Sequence, residues 1–335
     1  MKILIIRFSS IGDIVLTTPV VRALKDQIKG AEVHFLTKES FKGILENNPH
    51  IDKLYTIKKD VKEVLSDLHA EKYDHIVDLH KNLRTLTLKL RLGRRSHTFP
   101  KLNPEKWLMV NFKWNRMPEK HVVDRYFEAV SSLGVQNEHL GCEFYLTDQD
   151  HVDTRKVFDL DPGQYITVAI GAQFATKRMP IGKLIEIIGQ TELPVLLVGG
   201  PTDAETAKRI SQHFADQKVV ISTCGDYSLP RSASIVKQSA CLLTNDTGMM
   251  HIATCFGIPI VSVWGNTVPA LGMYPYYPVH QDLFSIHEVK GLSCRPCSKI
   301  GFQECPKKHF KCMELQDAGK IAGDLNKRAR SIFQK

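Results

Sequence analysis

Residues 240–265, ACLLTNDTGMMHIATCFGIPIVSVWG, constrain the fold more tightly than any other stretch. Two apolar runs of strand length, Ala240–Thr244 and Ile260–Trp264, flank a segment with room for one short helix and its turns. Gly257 and Pro259 close that helix before the second run begins. Asn245 and Asp246 are preferred N-cap types, so the helix is expected from Thr247 to about Cys255 with Asp246 as its cap. Gly248 in the first turn weakens the helix. Lacking Cβ, it leaves backbone N–H groups open to a ligand, and with the positive end of the helix dipole they suit a phosphate. His251, one turn after Thr247, falls on the same face. Capping alone would account for Asp246, but Asp-Thr-Gly-x-x-His-x-Ala between two strands points to a ligand site.

The same alternation runs through the chain. Lys2–Arg7 reads as a strand, followed by a turn from Phe8 to Asp13 and a helix through about Ile28. Further strands are expected at Glu32–Thr37, Ile51–Ile57 and Ile76–Leu79, then at Tyr165–Ile170, Val195–Val198 and Val219–Ile221. Strand and helix in alternation predict an α/β fold with parallel sheets and right-handed crossovers. A chain of 335 residues exceeds one ordinary core. With polar, turn-rich sequence near 148–163, two α/β domains are expected, 1–157 and 158–335.

Ligands of such sheets bind beyond the carboxyl ends of the strands, and that location selects the other candidates. Asp13 follows the first strand, placed to take a proton or simply to favour a helix N-terminus. Lys81 and Arg84 follow the fourth strand, where Arg84 can grip a carboxylate or lie solvated on a helix face. Lys177 follows the first strand of the second half, within reach of a pyrophosphate. Glu205 opens the helix after Val195–Val198 and suits either the helix dipole or ribose hydroxyls. The first turn holds one glycine, Gly12, where the dinucleotide fingerprint needs three, which argues against a nicotinamide dehydrogenase.

Hydrophobic residues make up 43% and charged residues 24%, as in ordinary soluble domains. Neither a signal peptide nor an apolar run of membrane-spanning length is apparent, so a cytoplasmic location is expected. The net charge of +9 is concentrated: residues 81–125 carry twelve Lys and Arg against three acids, with Trp107, Phe112 and Trp114 among them. That composition suits an anionic substrate or membrane surface, with nucleic acid as a further possibility and a solvated basic face as the plain alternative. Cys294, Cys297, Cys305 and Cys312 could hold zinc tetrahedrally or pack as reduced thiols. Asp317–Phe333 reads as an amphipathic terminal helix with Ile321, Leu325, Ala329 and Ile332 on one side.

Over nearly its whole length the chain resembles glycosyltransferase family 9, the ADP-heptose:lipopolysaccharide heptosyltransferases. The resemblance rests on ILIIRFSSIGDIVLTTPVVRAL, Asp78-Leu79 with Arg84, Lys177-Arg178-x-Pro180, the Asp246 to Ala253 motif and the cysteine cluster ending Cys312-Met313. It implies a GT-B fold, two Rossmann-like parallel-sheet domains facing a central cleft, and inverting transfer without a catalytic metal or cofactor. Asp13 is then the implied general base, while Lys177, Glu205, Asp246, Thr247, Gly248 and His251 hold the nucleotide sugar and Lys81 and Arg84 the acceptor. The implied partners are ADP-heptose, an anionic lipid-linked core oligosaccharide and the inner-membrane surface, with no nucleic acid. The enzyme would act as a peripheral protein on the cytoplasmic side. Met179 departs from the family, which often has Trp there. Other GT-B nucleotide-sugar transferases or epimerases, and a non-catalytic sugar-nucleotide-binding protein, remain as alternatives.

Overall fold

In the computed structural model, which describes residues 1–331, the apolar runs become strands because both of their faces are covered. Ile166–Ala169 shows the pattern. Ile166 and Val168 pack on one face with Leu184, Ile187, Ile321 and Leu325. Tyr165 and Ala169 pack on the other with Val236, Met250 and Ile260. A strand buried on both sides shows no polar alternation, which is why VLLV and its counterparts read as continuous apolar runs.

The first sheet contains β1 (Lys2–Ile6), β2 (Glu32–Lys38), β3 (Lys53–Ile57), β4 (His75–Asp78) and β5 (Arg95–Thr98), in the order β3-β2-β1-β4-β5. The second contains β6 (Ile166–Ala169), β7 (Val195–Val198), β8 (Val220–Ser222), β9 (Cys241–Asn245), β10 (Ile260–Trp264) and β11 (Phe284–Glu288), in the order β11-β10-β9-β6-β7-β8. All pairings are parallel. Each sheet is wound outward twice from its middle. The winding reverses between β1 and β4 in one and between β6 and β9 in the other, and at such reversals the loops diverge and leave a crevice.

By internal packing, residues 1–102 with 120–145 form one unit, and residues 103–119 with 146–335 form a second. The basic, aromatic helix Asn103–Phe112 therefore packs with the second unit although it precedes the last part of the first.

Strands β5 and β11 escaped the sequence reading, because RSHT and FSIHE mix polar residues into segments that are only partly buried, without the apolar run that marks a central strand. The alternating LTLKLRL belongs to a helix, Leu83–Leu92. Asn82 caps it by accepting the Thr85 N–H at 2.9 Å, and Gly93 ends it at φ +61°. Thr85, Leu88 and Leu92 are buried, while Leu83 and Leu90 stay exposed. The opening helix is divided into Ile11–Val15 and Thr18–Gln27. At the break, the Thr17 and Thr18 hydroxyls donate to the Ile14 and Val15 carbonyls, and Pro19 stands in the first turn of the second piece. The terminal helix spans Ala318–Ser331 and buries Ile321, Leu325 and Ala329; Ile332 and Phe333 lie outside the described residues.

Gly171, just past β6, is a site where a small residue is required. A Cβ there would stand 2.2 Å from Asp203 Oδ2. Asp203 is itself held by the Gly200 N–H at 2.9 Å and by Arg178 at 3.6 Å, so it has little freedom to retreat. Gly171→Ala should therefore cost about 2 kcal/mol through overpacking and lower Tm by several degrees in scanning calorimetry. An unchanged Tm would show that Asp203 moves aside freely.

Candidate functional site

Beyond β1 the apolar strand meets Arg7, whose guanidinium is buried among polar groups. It pairs with Asp13 Oδ1 at 2.5 Å and donates to the Ser9 and Leu79 carbonyls at 2.7 and 2.5 Å. The Tyr126 ring centroid is 6.0 Å away. Burial opposes the charge of Arg7 most strongly, yet Asp13, Tyr126 and Asp78 together more than offset this and the guanidinium pKa is raised. The second oxygen of Asp13 accepts from the Ser10 N–H at 3.2 Å and the Ser10 hydroxyl at 2.8 Å. Both oxygens are thus oriented from the β1 turn. The side chain remains 21% exposed.

The turn after β4 lies alongside, since Ile6 and Asp78 are partners in the register. Asp78 is fully buried; Oδ1 accepts the His80 and Lys81 N–H groups at 3.0 and 2.7 Å, while Oδ2 pairs with Lys89 at 2.9 Å. Lys101 donates to the His80 and Lys81 carbonyls at 2.9 and 3.0 Å. This scaffold presents Lys81, with φ +52°, and Arg84 at the surface, at the same winding reversal as Asp13.

His80 packs edge-on against Phe8 at 5.2 Å. Burial, then the charges of Arg7 and Lys101, push its imidazole down to about 4. Between that value and the ordinary 6.5 the unfolded chain binds the extra proton, so stability is present above about pH 6.5 and is lost as pH falls toward 4. His80→Asn should flatten that acid slope by on the order of 2 kcal/mol, measured by urea denaturation at pH 7 and pH 5. An identical pH dependence in both proteins would remove His80 as its source.

In the second unit, Lys177 ends a 3-10 turn, Ala175–Lys177, after β6. Its ammonium pairs with Asp246 Oδ2 at 2.6 Å, and the Thr267 hydroxyl donates to the same oxygen at 2.9 Å. Asp246 is therefore not the helix cap. Thr247 holds that position, in extended backbone, and the helix runs from Gly248 to Thr254. A lysine and a hydroxyl draw the carboxylate away from the helix N–H groups, because a charge-assisted pair at this distance is the stronger contact. The Thr247 hydroxyl lies 3.2 Å from that of Thr244, and His251 is buried on the helix. Ala169 and Thr244 are register partners across the β6 and β9 reversal, and this brings the Lys177 turn and the Asp246 turn together.

Neighbouring residues take structural parts. Arg178 donates to the Ala172 carbonyl at 2.8 Å and faces Asp203, while Met179 is buried in the core with Leu184. Glu205 is exposed in the first turn of the helix Ala204–His213, and no hydrogen bond or ion pair among the described residues joins it to Lys177 or Asp246. Arg7 and Thr267 were not among the residues singled out from sequence. An arginine interrupting an apolar strand at its carboxyl end was the available signal for the first; Thr267 carries none, being brought to Asp246 from the loop after β10.

The model of the family described as glycosyltransferase family 9 (heptosyltransferase) matches residues 61–300. The chain belongs to glycosyltransferase family 9. Lipopolysaccharide heptosyltransferase 1 of Campylobacter coli is 25% identical to this family 9 glycosyltransferase over 297 residues, covering 80% of this chain and 84% of that protein. A solved family 9 glycosyl transferase from Veillonella parvula has a TM-score of 0.74 at 21% identity, covering 98% of this chain and 97% of its own. Escherichia coli heptosyltransferase WaaC with ADP has a TM-score of 0.70 at 19% identity, covering 98% and 100%. These likenesses establish the fold class, GT-B with two parallel-sheet α/β domains. Among the described residues no helix of this glycosyltransferase is long and apolar enough to cross a membrane.

Proposed function

We propose that this glycosyltransferase moves a heptose from ADP-heptose to an anionic, lipid-linked core sugar of lipopolysaccharide, with inversion and without a catalytic metal. The observation that carries the reading is the Lys177–Asp246 pair beside the Gly248 helix at the β6 and β9 reversal. A nucleoside diphosphate leaving group develops negative charge, and a lysine, a buried histidine and open backbone N–H groups are suited to stabilise it. Asp246 positions the lysine and Thr247, Gly248 and His251 line the diphosphate, while Glu205 takes the ribose. The names of the relatives support the sugar and the acceptor, and the WaaC structure with ADP supports the nucleotide.

In the first unit Asp13 accepts the proton of the acceptor hydroxyl as that oxygen bonds the anomeric carbon and the bond to the diphosphate breaks, releasing ADP. Lys81 and Arg84 engage the phosphate or carboxylate groups of the acceptor. Trp107, Phe112 and Trp114, exposed with ring centroids 5.3 and 5.6 Å apart in sequence, suit a peripheral position on an anionic inner-membrane surface.

Calorimetric titration with ADP, GDP and UDP tests the donor assignment. ADP should bind most tightly, and Asp246→Ala should weaken it by about tenfold, the effect of one lost positioning contact. Equal binding of all three nucleotides, or none by any, would sink the ADP-sugar assignment.

A further inference from the structure

Two side chains of types that commonly cap a helix, Asp246 and Thr247, stand before Gly248, and each is engaged elsewhere. The Thr247 hydroxyl lies 3.2 Å from that of Thr244. A single oxygen of Asp246, Oδ2, takes both the Lys177 ammonium at 2.6 Å and the Thr267 hydroxyl at 2.9 Å. Two donors from different loops thus share one carboxylate oxygen.

Thr267 is held by a buried clamp. The side chain of Arg295, 6% exposed, donates to the carbonyls of Gly265, Thr267 and Trp264 at 2.5, 3.0 and 3.3 Å. It also donates to the Val289 carbonyl at 2.7 Å and the Glu288 carboxylate at 3.0 Å. Trp264 and Glu288 are register partners, so one planar guanidinium ties the carboxyl ends of β10 and β11 together. The turn between has further anchors: the Asn266 carbonyl accepts the Cys297 N–H at 3.1 Å, and the Gln316 amide donates to the Trp264 carbonyl at 3.3 Å. Gly265 closes the arrangement. A Cβ there would stand 2.6 Å from Met313 Cε and 3.0 Å from the carbonyl of Thr176, the residue before Lys177. The turns that bring Lys177 and Thr267 to Asp246 are therefore packed against each other.

We propose that Thr267, set in place by Arg295, is a positioning residue of the donor site: by sharing Asp246 Oδ2 with Lys177, its hydroxyl keeps the carboxylate off the helix that begins at Gly248 and leaves the ammonium available to an anionic donor. The proposal rests on the donor site lying at Lys177 and Asp246. Aspartate is a preferred N-cap, so a carboxylate released by Thr267 has a second place to go, on the helix N–H groups, where it repels a diphosphate. If it stays on Lys177 instead, no second donor shares its charge and the ammonium is held more tightly. Both outcomes disfavour the anion, although no atom of Thr267 touches it.

Calorimetric titration with ADP of the native chain, Thr267→Val, Thr267→Ser, Asp246→Ala and Thr267→Val/Asp246→Ala tests this. Valine keeps the shape of the buried side chain and removes the donor. It should weaken ADP about tenfold, while Thr267→Ser, which keeps the hydroxyl, stays within about twofold of native. In the Asp246→Ala background the valine should add less than about twofold, because the group it acts through is gone. A direct contact of Thr267 with the nucleotide, or a general loosening of the fold, would persist in that background; a tenfold further loss there, or native affinity in Thr267→Val, would overturn the proposal. Should the valine variant not fold, Thr267→Ala carries the same two expectations. Arg295→Lys, which keeps the charge and loses the fork, should reproduce the loss, with Thr267→Val adding little to it; additive losses would separate Thr267 from Arg295. Lys177→Ala distinguishes the two levels. No ADP binding by the native chain, or no effect of Lys177→Ala, sinks the donor site and this proposal with it, whereas a loss in Lys177→Ala beside native affinity in Thr267→Val sinks the proposal alone.

Discussion

Asp13→Asn is expected to lower kcat by about a thousandfold while ADP affinity stays within about twofold, because a general base acts on the chemical step and not on the donor. Asparagine keeps the shape and can still accept from Ser10, which now donates to Asp13 by both its N–H and its hydroxyl. It cannot take a proton. The substitution also leaves Arg7 with a buried charge that has lost its 2.5 Å partner, at a cost of about 3 kcal/mol. Turnover should therefore be measured below the lowered Tm, alongside nucleotide calorimetry. Near-native turnover in the folded variant would mean that another group takes the proton. Loss of ADP binding with transfer retained would reverse the division of roles between the two units.

Lys177→Ala should act on the other half of the reaction, weakening ADP by about a hundredfold and lowering kcat/KM for the nucleotide sugar further. Two effects combine. The ammonium that would meet the diphosphate is gone, and removing one such stabilising group from a developing anion costs about 3 kcal/mol. In addition Asp246, deprived of its 2.6 Å partner and left with only the Thr267 hydroxyl among these contacts, would present an uncompensated carboxylate to an anionic ligand. The double variant Lys177→Ala/Asp246→Asn should then recover part of the lost affinity, since the repelling charge is removed with the attracting one. Additive losses in the double variant would show that Asp246 contacts the donor independently of the lysine. Calorimetry on the native chain, both single variants and the double variant closes the cycle.

Central strands were legible in the sequence because they are buried on both faces and must be apolar throughout; β7 and β10 occur at the residues expected from their composition alone. The partly buried, polar strands β5 and β11 were not, and the helix Leu83–Leu92 hid behind a leucine alternation whose exposed members, Leu83 and Leu90, contribute nothing to the core. The residue types at the carboxyl ends of strands were legible too. Their partners were not: the helix was expected to begin with Asp246 as its cap, but a lysine nearly seventy residues earlier and a threonine twenty-one residues later take that carboxylate.

What the amino-acid sequence determines by itself is local: which segments must be covered on both faces, where turns interrupt them, and which charged and small residues stand at strand ends. The order of the strands lies outside that information. Only the tertiary structure sets β1 beside β4 and β6 beside β9, and so places the turn that carries Asp13 beside the turn that leads to Lys81 and Arg84, and Lys177 against Asp246. The physical reason is that periodicity reports how much of a segment is buried but not which segment buries it. Many strand orders satisfy the same burial, and the crevice exists only where the chosen order makes the winding reverse.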